Sequence, residues 1–340
     1  MLRTVSASAE HWPLSRPFRI SRGIRSQADL VFVEVRQGAC VGWGEGAPIP
    51  RYGDTVESCI AQIEGIADAL AADLSRNDLL DVLPAGAARN AVDCALWDLE
   101  AQLGGKPVAE MIGRPTRRRL TTALTVGLGT IEAMREAAAH LAGSALIKVK
   151  VDADDPAARI AAVRAAAPEA TLIVDANEAW DMVLLRSMQP ALRQARVALL
   201  EQPLPAAEDG ALEGFVRSVP ICADESCHVA DDVARLATRY EAVNIKLDKT
   251  GGLTAALDLL AAARARGMMV MTGCMICTSL SIAPAFEVAA ASDFADLDGP
   301  LWLARDRSGG VRLEAGELLA ASPELWGGPS ARARQQVKSR

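Results

Sequence analysis

Hydrophobic and polar positions alternate regularly from residue 121 onward. Short apolar runs with the two-residue period of β-strands recur there, and Ala-rich stretches with the spacing of amphipathic helices separate the first seven of them. Eight such runs can be counted: TALTVG, LIKVK, TLIVDAN, ALLEQP, ICADES, AVNIKLD, MMVMTGC and FADLDG. Eight strands alternating with helices are most economically a closed parallel barrel of the TIM type, so we predict an α/β fold.

The first part of the chain has a different pattern. DLVFVEVRQG and CVGWGEGAP read as strands joined at Gly38, whereas SCIAQIEGIADALAADL and ARNAVDCALWDLEAQLGG have helical spacing. This mixture predicts an α+β domain over residues 1–118, followed by the barrel over 119–309. After Gly299 no comparable helix follows, and we expect the tail 310–340 to fold back and complete the first domain.

Composition narrows the class of protein. The 340 residues carry a formal net charge of −7, and the one basic run is Arg117 to Arg119, so a nucleic-acid partner is not expected. No stretch approaches the roughly 20 apolar residues of a membrane span, and the N-terminus has no signal-peptide core. Seven scattered cysteines suit reduced thiols better than a disulfide framework. These features predict a cytoplasmic protein.

Acidic residues end three consecutive predicted strands. Asp175, Glu201 and Asp224 close TLIVD, ALLE and ICAD, at intervals that match one strand, loop and helix unit of a barrel. Their carboxylates should converge on one side of the barrel mouth. Three oxygen ligands without His or Cys favour a hard cation, Mg²⁺ before Mn²⁺ or Zn²⁺. The alternative is a structural cluster of salt bridges.

Lysines end the predicted second and sixth strands. These strands lie opposite each other in a ring of eight, so Lys150 and Lys246 should face each other across the mouth. One amine could remove an α-proton beside a metal-bound carboxylate, and the other could return a proton to the opposite face. We expect the metal and Lys148 to lower the pKa values of both lysines. The outcome would be racemisation or epimerisation.

Polar residues two positions apart share one face of a strand. Four such pairs stand at predicted strand ends: Lys148/Lys150, Asp175/Asn177, Lys246/Asp248 and Asp296/Asp298. Asn177 and Asp248 would then support the catalytic residues beside them. The alternative is that charged residues merely mark where strands leave the core. That alternative could explain one such pair but not four, and we therefore interpret the set as an active site.

These motifs resemble the enolase superfamily and its muconate-lactonizing subgroup. The resemblance lies in KVK at 148–150, DAN at 175–177, EQP at 201–203, ADE at 223–225 and NIKLDKTGG at 244–252. It implies an N-terminal α+β capping domain over a (β/α)7β barrel. It also implies Asp175, Glu201 and Asp224 as Mg²⁺ ligands, and Lys150 and Lys246 as the acid/base pair.

Within the subgroup, the chain is similar to dipeptide epimerases that act on L-Ala-D-Glu and L-Ala-L-Glu from murein. The motifs involved are RGIRS, PRYGD, LPAGAARNAVDCALWDLE, GCMICTS and FADLDGP. This likeness implies a small dipeptide substrate and one Mg²⁺ per subunit, with Mn²⁺ as a substitute. It is also compatible with a homo-oligomer. The implied substrate contacts are Lys148 at the carboxylate, Asp296 and Asp298 at the ammonium, Thr125, and Arg25, whose role Arg22 could take instead.

Other activities of the same scaffold remain open at this stage. They are N-succinylamino acid racemisation, o-succinylbenzoate synthesis and muconate cycloisomerisation. A non-catalytic metal-binding scaffold protein is a further alternative, but it would be expected to lack a metal ligand or a lysine, and this sequence lacks neither.

Overall fold

The computed structural model of the protein describes residues 2–20, 23–314 and 316–330. Its strands, in chain order, are β1 (Thr4–Ile20), β2 (Gly23–Gln37), β3 (Cys40–Gly46), β4 (Arg119–Thr121), β5 (Leu124–Val126), β6 (Leu146–Lys150), β7 (Thr171–Asp175), β8 (Val197–Glu201), β9 (Ile221–Ala223), β10 (Ala242–Ile245), β11 (Met269–Gly273), β12 (Phe294–Asp296), β13 (Arg312–Glu314) and β14 (Glu317–Leu319). Its helices are α1 (Val56–Gly65), α2 (Ala67–Ala71), α3 (Arg76–Val82), α4 (Ala87–Gly104), α5 (Val108–Met111), α6 (Ile131–His140), α7 (Pro156–Ala166), α8 (Met182–Gln194), α9 (Val233–Leu236), α10 (Leu247–Thr250), α11 (Leu253–Ala265) and α12 (Ser279–Ala289).

Strands β5 to β12 form the predicted eight-stranded sheet. Each pairs in parallel with its neighbour in the chain, in the order β5 through β12. The backbone N–H of Ala123, just before β5, donates to the carbonyl of Ala295 in β12 over 2.7 Å and joins the two ends of the sheet. The prediction of eight parallel strands and a TIM-like barrel is confirmed.

The prediction of a helix between every pair of the first seven strands was wrong at one place. Between β8 and β9 the described chain has a single 3-10 turn, Asp209–Leu212, instead of an α-helix. Pro203 and Pro205 lack the N–H that a helix interior uses, and Gly214 lies in the left-handed region with φ 69°. The segment PLPAAEDGALEGF is therefore poorly suited to a continuous helix.

A layer of small and apolar side chains fills the inside of the barrel. It takes one residue from each of seven neighbouring strand segments: Ala123, Leu146, Ile173, Leu199, Cys222, Ala242 and Met271. Because side chains on a strand alternate between faces, the residue two positions further along each strand also points inward, nearer the mouth. Those positions include Lys148, Asp175, Glu201 and Asp224, so the strand period brings these charged groups together.

The N-terminal domain is an antiparallel sheet, β1-β2-β3, covered by α4. The predicted hairpin at Gly38 is confirmed, since Gln37 pairs with Cys40 and Gly38 has φ 63°. The long strand β1 was not predicted. The glycines of β3 allow α4 to approach, because a Cβ at Gly44 would lie 1.9 Å from the carbonyl oxygen of Ala91.

The last described segment, residues 316–330, touches both parts of the structure. Strand β14 pairs with β13 and with β4. The indole of Trp326 donates to the carbonyl of Cys94 over 3.0 Å, and the backbone N–H of Gly327 donates to Asp98 over 2.7 Å. Trp326 and Gly327 therefore pack against helix α4, which contains Cys94 and Asp98. The domain boundaries given above stay a prediction. In the described parts of the chain no helix is long and apolar enough to cross a membrane.

Candidate active site

The charged strand ends meet at one mouth of the barrel, and Lys148 lies in their middle. Its Nζ is 2.6 Å from Glu201 Oε2, 2.7 Å from Asp296 Oδ2 and 3.1 Å from Asp175 Oδ2. The side chain is 2% exposed. Burial alone would lower the pKa of Lys148, but Asp296, Glu201 and Asp175 raise it well above its usual range. The surrounding carboxylates therefore favour the charged form of Lys148.

Lys150 stands beside Lys148, two residues further along β6. Its Nζ donates to Asp175 Oδ2 over 2.6 Å and to Asn177 Oδ1 over 3.1 Å. The backbone N–H of Asn177 donates to Asp175 Oδ1 over 2.9 Å. Burial acts to raise the pKa of Asp175, yet Lys150 and Lys148 together lower it below its usual range. The structure thus brings Lys150, Asp175 and Asn177 into one hydrogen-bonded group.

The second predicted base lies across the mouth. β6 and β10 are the second and sixth of the eight strands, and Lys246 follows β10 directly. Its Nζ donates to Asp224 Oδ2 over 2.8 Å. Burial and Lys148 act to lower the pKa of Lys246, but the charges of Asp224, Glu201 and Glu225 together raise it above its usual range. Lys148 therefore acts on the pKa of Lys246 in the predicted direction, and the lowering by a metal stays a prediction.

Glu201 is fully buried, as is Asp175. Asn244 Nδ2 donates to its Oε1 over 2.8 Å. Its Oε2 is buried and accepts no hydrogen bond of good geometry, although Lys148 Nζ lies 2.6 Å away. Burial and the negative charge of Asp175 raise the pKa of Glu201. A buried carboxylate oxygen in this state is well suited to a cation.

The metal prediction can be compared with this arrangement. Within residues 2–20, 23–314 and 316–330, no three acidic, histidine or cysteine side chains are arranged as a formed metal site. The carboxylates contact lysine ammonium groups instead. The donor chemistry nevertheless fits a hard divalent cation, because Asp175, Glu201 and Asp224 supply buried carboxylate oxygens at the ends of β7, β8 and β9.

The eighth strand contributes two further carboxylates. Asp296 contacts Lys148, as described, and Asp298 Oδ2 accepts a hydrogen bond from the backbone N–H of Thr125 over 2.8 Å. Burial and the charge of Asp296 raise the pKa of Asp298 to about 6. Asp296, Asp298 and Thr125 all line the same cavity.

This cavity has a volume of about 360 Å³ and opens between the barrel mouth and the first domain. Lys148, Lys150, Lys246, Asp224 and Asn177 line its floor. The first domain supplies Arg25 and the segment 49–52. Arg22 lies outside the described residues. Arg25 thus lines the same cavity as the other predicted site residues, and its contact with a substrate stays a prediction.

Asp248 is not among these residues. It lies on α10, and its Oδ1 accepts hydrogen bonds from the backbone N–H of Ala47 over 2.8 Å and from Asn90 Nδ2 over 2.7 Å. Burial raises its pKa to about 7. The side chain therefore joins the barrel to the first domain. The shared-face argument failed here because the strand ends before Lys246, where a helical turn replaces the two-residue period.

Sequence reasoning missed Lys249, Asn244 and Gln202. Asn244 precedes Lys246 by two strand positions, and Lys249 follows it by three positions on a helical turn, so both share its side of the structure. Gln202 Oε1 accepts from the backbone N–H of Asp224 over 2.8 Å. A change of period from two to 3.6 after Lys246 would have revealed Lys249.

Fold and site together define a barrel enzyme of the enolase type, with lysines and carboxylates at the carboxyl ends of its strands. Residues 2–113 match the mandelate racemase / muconate lactonizing enzyme N-terminal domain, and residues 132–318 match the enolase C-terminal domain-like family. The chain belongs to the mandelate racemase / muconate lactonizing enzyme family, and the resemblance stated above is confirmed.

Two curated relatives cover nearly the whole chain. The L-Ala-D/L-Glu epimerase of Escherichia coli (strain K12) is 49% identical over 319 residues, which is 93% of this chain and 99% of the relative. The N-acetyl-D-glutamate racemase of a Pseudoalteromonas species is 40% identical over 301 residues, 88% of this chain and 95% of the relative. The chain is thus similar to enzymes that invert a stereocentre in a glutamate derivative.

Solved structures agree with this placement. An enolase family member from Agrobacterium tumefaciens, with homology to dipeptide epimerases and with bound sodium and L-Ala-L-Glu, has a TM-score of 0.93 at 48% identity and covers 96% of this chain and 100% of its own. A dipeptide epimerase from Methylococcus capsulatus is complexed with Mg and the dipeptide L-Arg-D-Lys. It has a TM-score of 0.84 at 32% identity and covers 94% of this chain and 98% of its own.

Proposed function

We propose that the protein is a Mg²⁺-dependent dipeptide epimerase that interconverts L-Ala-D-Glu and L-Ala-L-Glu. The observation that carries this proposal is the pair Lys150 and Lys246. They stand on opposite strands of one barrel mouth, line one cavity, and are held by different carboxylates, Asp175 and Asp224. The identity to relatives that act on such dipeptides supports the same activity.

Each lysine would serve one face of the substrate α-carbon. A substrate in the cavity between β6 and β10 has one amine on each side. One lysine takes the α-proton as a neutral amine, and the other, still an ammonium, returns a proton to the opposite face. The configuration is thereby inverted, because the two proton transfers occur on different faces.

Asp175, Glu201 and Asp224 would hold the cation. It would supply positive charge beside the substrate carboxylate, where negative charge develops as the α-proton leaves. Lys148 adds a buried positive charge at the same place. The Mg bound by the Methylococcus capsulatus relative supports Mg²⁺ as the cation. We further propose one ion per subunit, with Mn²⁺ as a substitute.

The far end of the substrate would meet β12. Asp298 would bind the dipeptide ammonium, and Asp296 would share its charge between that ammonium and Lys148. Arg25 lies on the domain that covers the cavity and would bind the glutamate side chain. Thr125 would contribute by holding Asp298 in place.

A second candidate activity is racemisation of an N-acylated glutamate, which the 40% identity to an N-acetyl-D-glutamate racemase favours. Such a substrate has no ammonium for Asp298. The decisive experiment follows α-proton exchange in D₂O by NMR, with L-Ala-L-Glu, L-Ala-D-Glu, N-acetyl-D-glutamate and an N-succinyl amino acid. Faster exchange of either acylated substrate than of the dipeptides would overturn the proposal.

The cellular setting is part of the proposal. A dipeptide of L-alanine and glutamate is a fragment of murein, so we place the enzyme in murein peptide metabolism. The seven cysteines are unpaired, which supports a reducing compartment such as the cytoplasm. Assembly into a homo-oligomer is compatible with this role.

A further inference from the structure

Lys249 is a fourth lysine at the barrel mouth, and its contacts differ from those of the proposed bases. Its Nζ donates to Asp224 Oδ1 over 2.7 Å, to the carbonyl of Asn244 over 3.2 Å, and to the backbone carbonyl of Asp224 itself. An ammonium group has three donors, and these contacts use all three. Its side chain is 3% exposed. Lys249 is therefore bonded as a structural cation.

Asp224 is held from several directions as a result. Gln202 Oε1 accepts from its backbone N–H, while Lys249 contacts its backbone carbonyl and its Oδ1. Lys246 contacts the other carboxylate oxygen, Oδ2. The rotation of the carboxylate is thereby restricted, with Oδ1 bound to Lys249 and Oδ2 directed to Lys246.

The position of Lys249 depends on a single helical turn. Its backbone N–H donates to the carbonyl of Lys246 over 2.9 Å, and the left-handed Gly251, φ 78°, ends the turn. Arg89 of α4 donates to the carbonyls of Thr250 and Gly251 over 2.6 and 3.1 Å. The first domain thus holds the turn that carries Lys249.

We infer that Lys249 is a positioning residue that orients the Asp224 carboxylate toward the proposed cation site and toward Lys246. This inference rests on the proposed function and adds a residue to it. Without Lys249, the Asp224 carboxylate loses its fixed rotation and one neutralising charge on Oδ1. The cation would then bind more weakly, and proton exchange would slow on both faces of the substrate.

The test uses Lys249→Met, which keeps a long unbranched side chain and removes its charge. Titration calorimetry with MgCl₂ on the metal-free, full-length protein measures cation affinity without any turnover. We expect at least a tenfold weaker affinity than in the wild type. Lys106→Met, which removes an exposed lysine beyond the end of α4, is the matched control and should bind Mg²⁺ as the wild type does. Circular dichroism and thermal melting establish that the variants are folded.

Proton exchange gives the second readout. A positioning role predicts that Lys249→Met slows exchange of both epimers by similar factors, because the cation serves both faces. Loss of exchange for one epimer alone would instead make Lys249 a proton carrier and overturn the inference. Unchanged Mg²⁺ affinity in a folded Lys249→Met, or a wild type that does not bind Mg²⁺, would also overturn it.

Failure of the proposed function remains distinguishable. A wild type that binds Mg²⁺ but exchanges no dipeptide proton would refute the dipeptide activity, while the calorimetric comparison still decides the role of Lys249. If Lys249→Met does not fold, Gln202→Met removes another anchor of Asp224, and a cation affinity equal to that of the wild type would then count against the positioning of Asp224.

Discussion

Lys148 Nζ lies 2.7 Å from Asp296 Oδ2, which joins the second and the eighth strand of the barrel inside its mouth. The same ammonium is 2.6 Å from Glu201 on the opposite side. Lys148 therefore connects the carboxylates proposed for the cation with the carboxylates proposed for the substrate ammonium. A substitution at the carboxylates of one group should therefore change binding at the other group through Lys148.

Asp175→Asn is expected to abolish turnover. The substitution removes the negative charge that Lys148 and Lys150 contact at 3.1 and 2.6 Å, and with it one proposed cation ligand. The fold should persist, since the side chain keeps its size. Epimerisation assays with and without MgCl₂, together with melting curves, check this expectation. Full activity of the wild type in excess chelator would contradict the cation assignment.

Lys150→Ala and Lys246→Ala should each lose interconversion of the two epimers, by at least 10³-fold in kcat. Each variant keeps one base, so each should still exchange the α-proton of one epimer with deuterium. The two variants should retain proton exchange of opposite epimers, because the lysines stand on opposite strands. NMR of both dipeptide epimers in D₂O measures this. If either variant interconverts the epimers at the wild-type rate, the two-base mechanism is wrong.

Asp298→Asn should lower kcat/KM for L-Ala-L-Glu by about tenfold, which is the loss of one charge-assisted hydrogen bond. The remaining oxygen can still accept the hydrogen bond from Thr125, so the local structure should be kept. The value for N-acetyl-D-glutamate should not fall. Steady-state kinetics on both substrates separate these effects, and equal losses on both would argue against an ammonium contact.

The same residue predicts a pH dependence of binding. Because the pKa of Asp298 is raised to about 6, the group is neutral below that pH and negative above it. Its attraction for an ammonium therefore appears as the pH rises through 6, and KM for the dipeptide should fall over that interval. Asp298→Asn should lack this component of the KM profile.

Asp248→Asn is expected to make the stability of the protein less dependent on pH. Burial raises the pKa of Asp248 from 3.8 to about 7. Between these values the folded protein keeps the proton and the unfolded chain loses it, so stability falls as the pH rises from about 4 to about 7. The shift corresponds to a loss on the order of 4 kcal/mol. Asparagine carries no such charge, and its Oδ1 can accept the bonds from Ala47 and Asn90.

Urea unfolding at several pH values measures this effect. Asp248→Asn should lose less stability than the wild type between pH 4 and pH 7. Asp68→Asn, at an exposed position of α2, is the control and should follow the wild type. A pH slope in Asp248→Asn identical to that of the wild type would show that Asp248 does not titrate in this range.

Much of the site could be predicted because strand periodicity is a local property. Lys148, Asp175, Glu201 and Asp224 each end or follow a buried apolar run, and parallel strands of a barrel place such ends at one mouth. The order of the eight strands followed from the same pattern. The family motifs then pointed to the roles of the residues. These conclusions needed only the sequence and the geometry of a β-strand.

What the sequence alone determined is therefore the barrel, the ring of charged strand ends and the opposition of Lys150 and Lys246. The tertiary structure decided how those charges are shared: Lys148 lies among three carboxylates, Lys249 holds Asp224, and Asp248 turns away to Ala47 and Asn90. Such choices depend on which partners are within about 3 Å after packing, and residues distant in the chain determine that distance. Local periodicity places a side chain on a face, but only the packed neighbours fix its hydrogen-bond partner and its pKa.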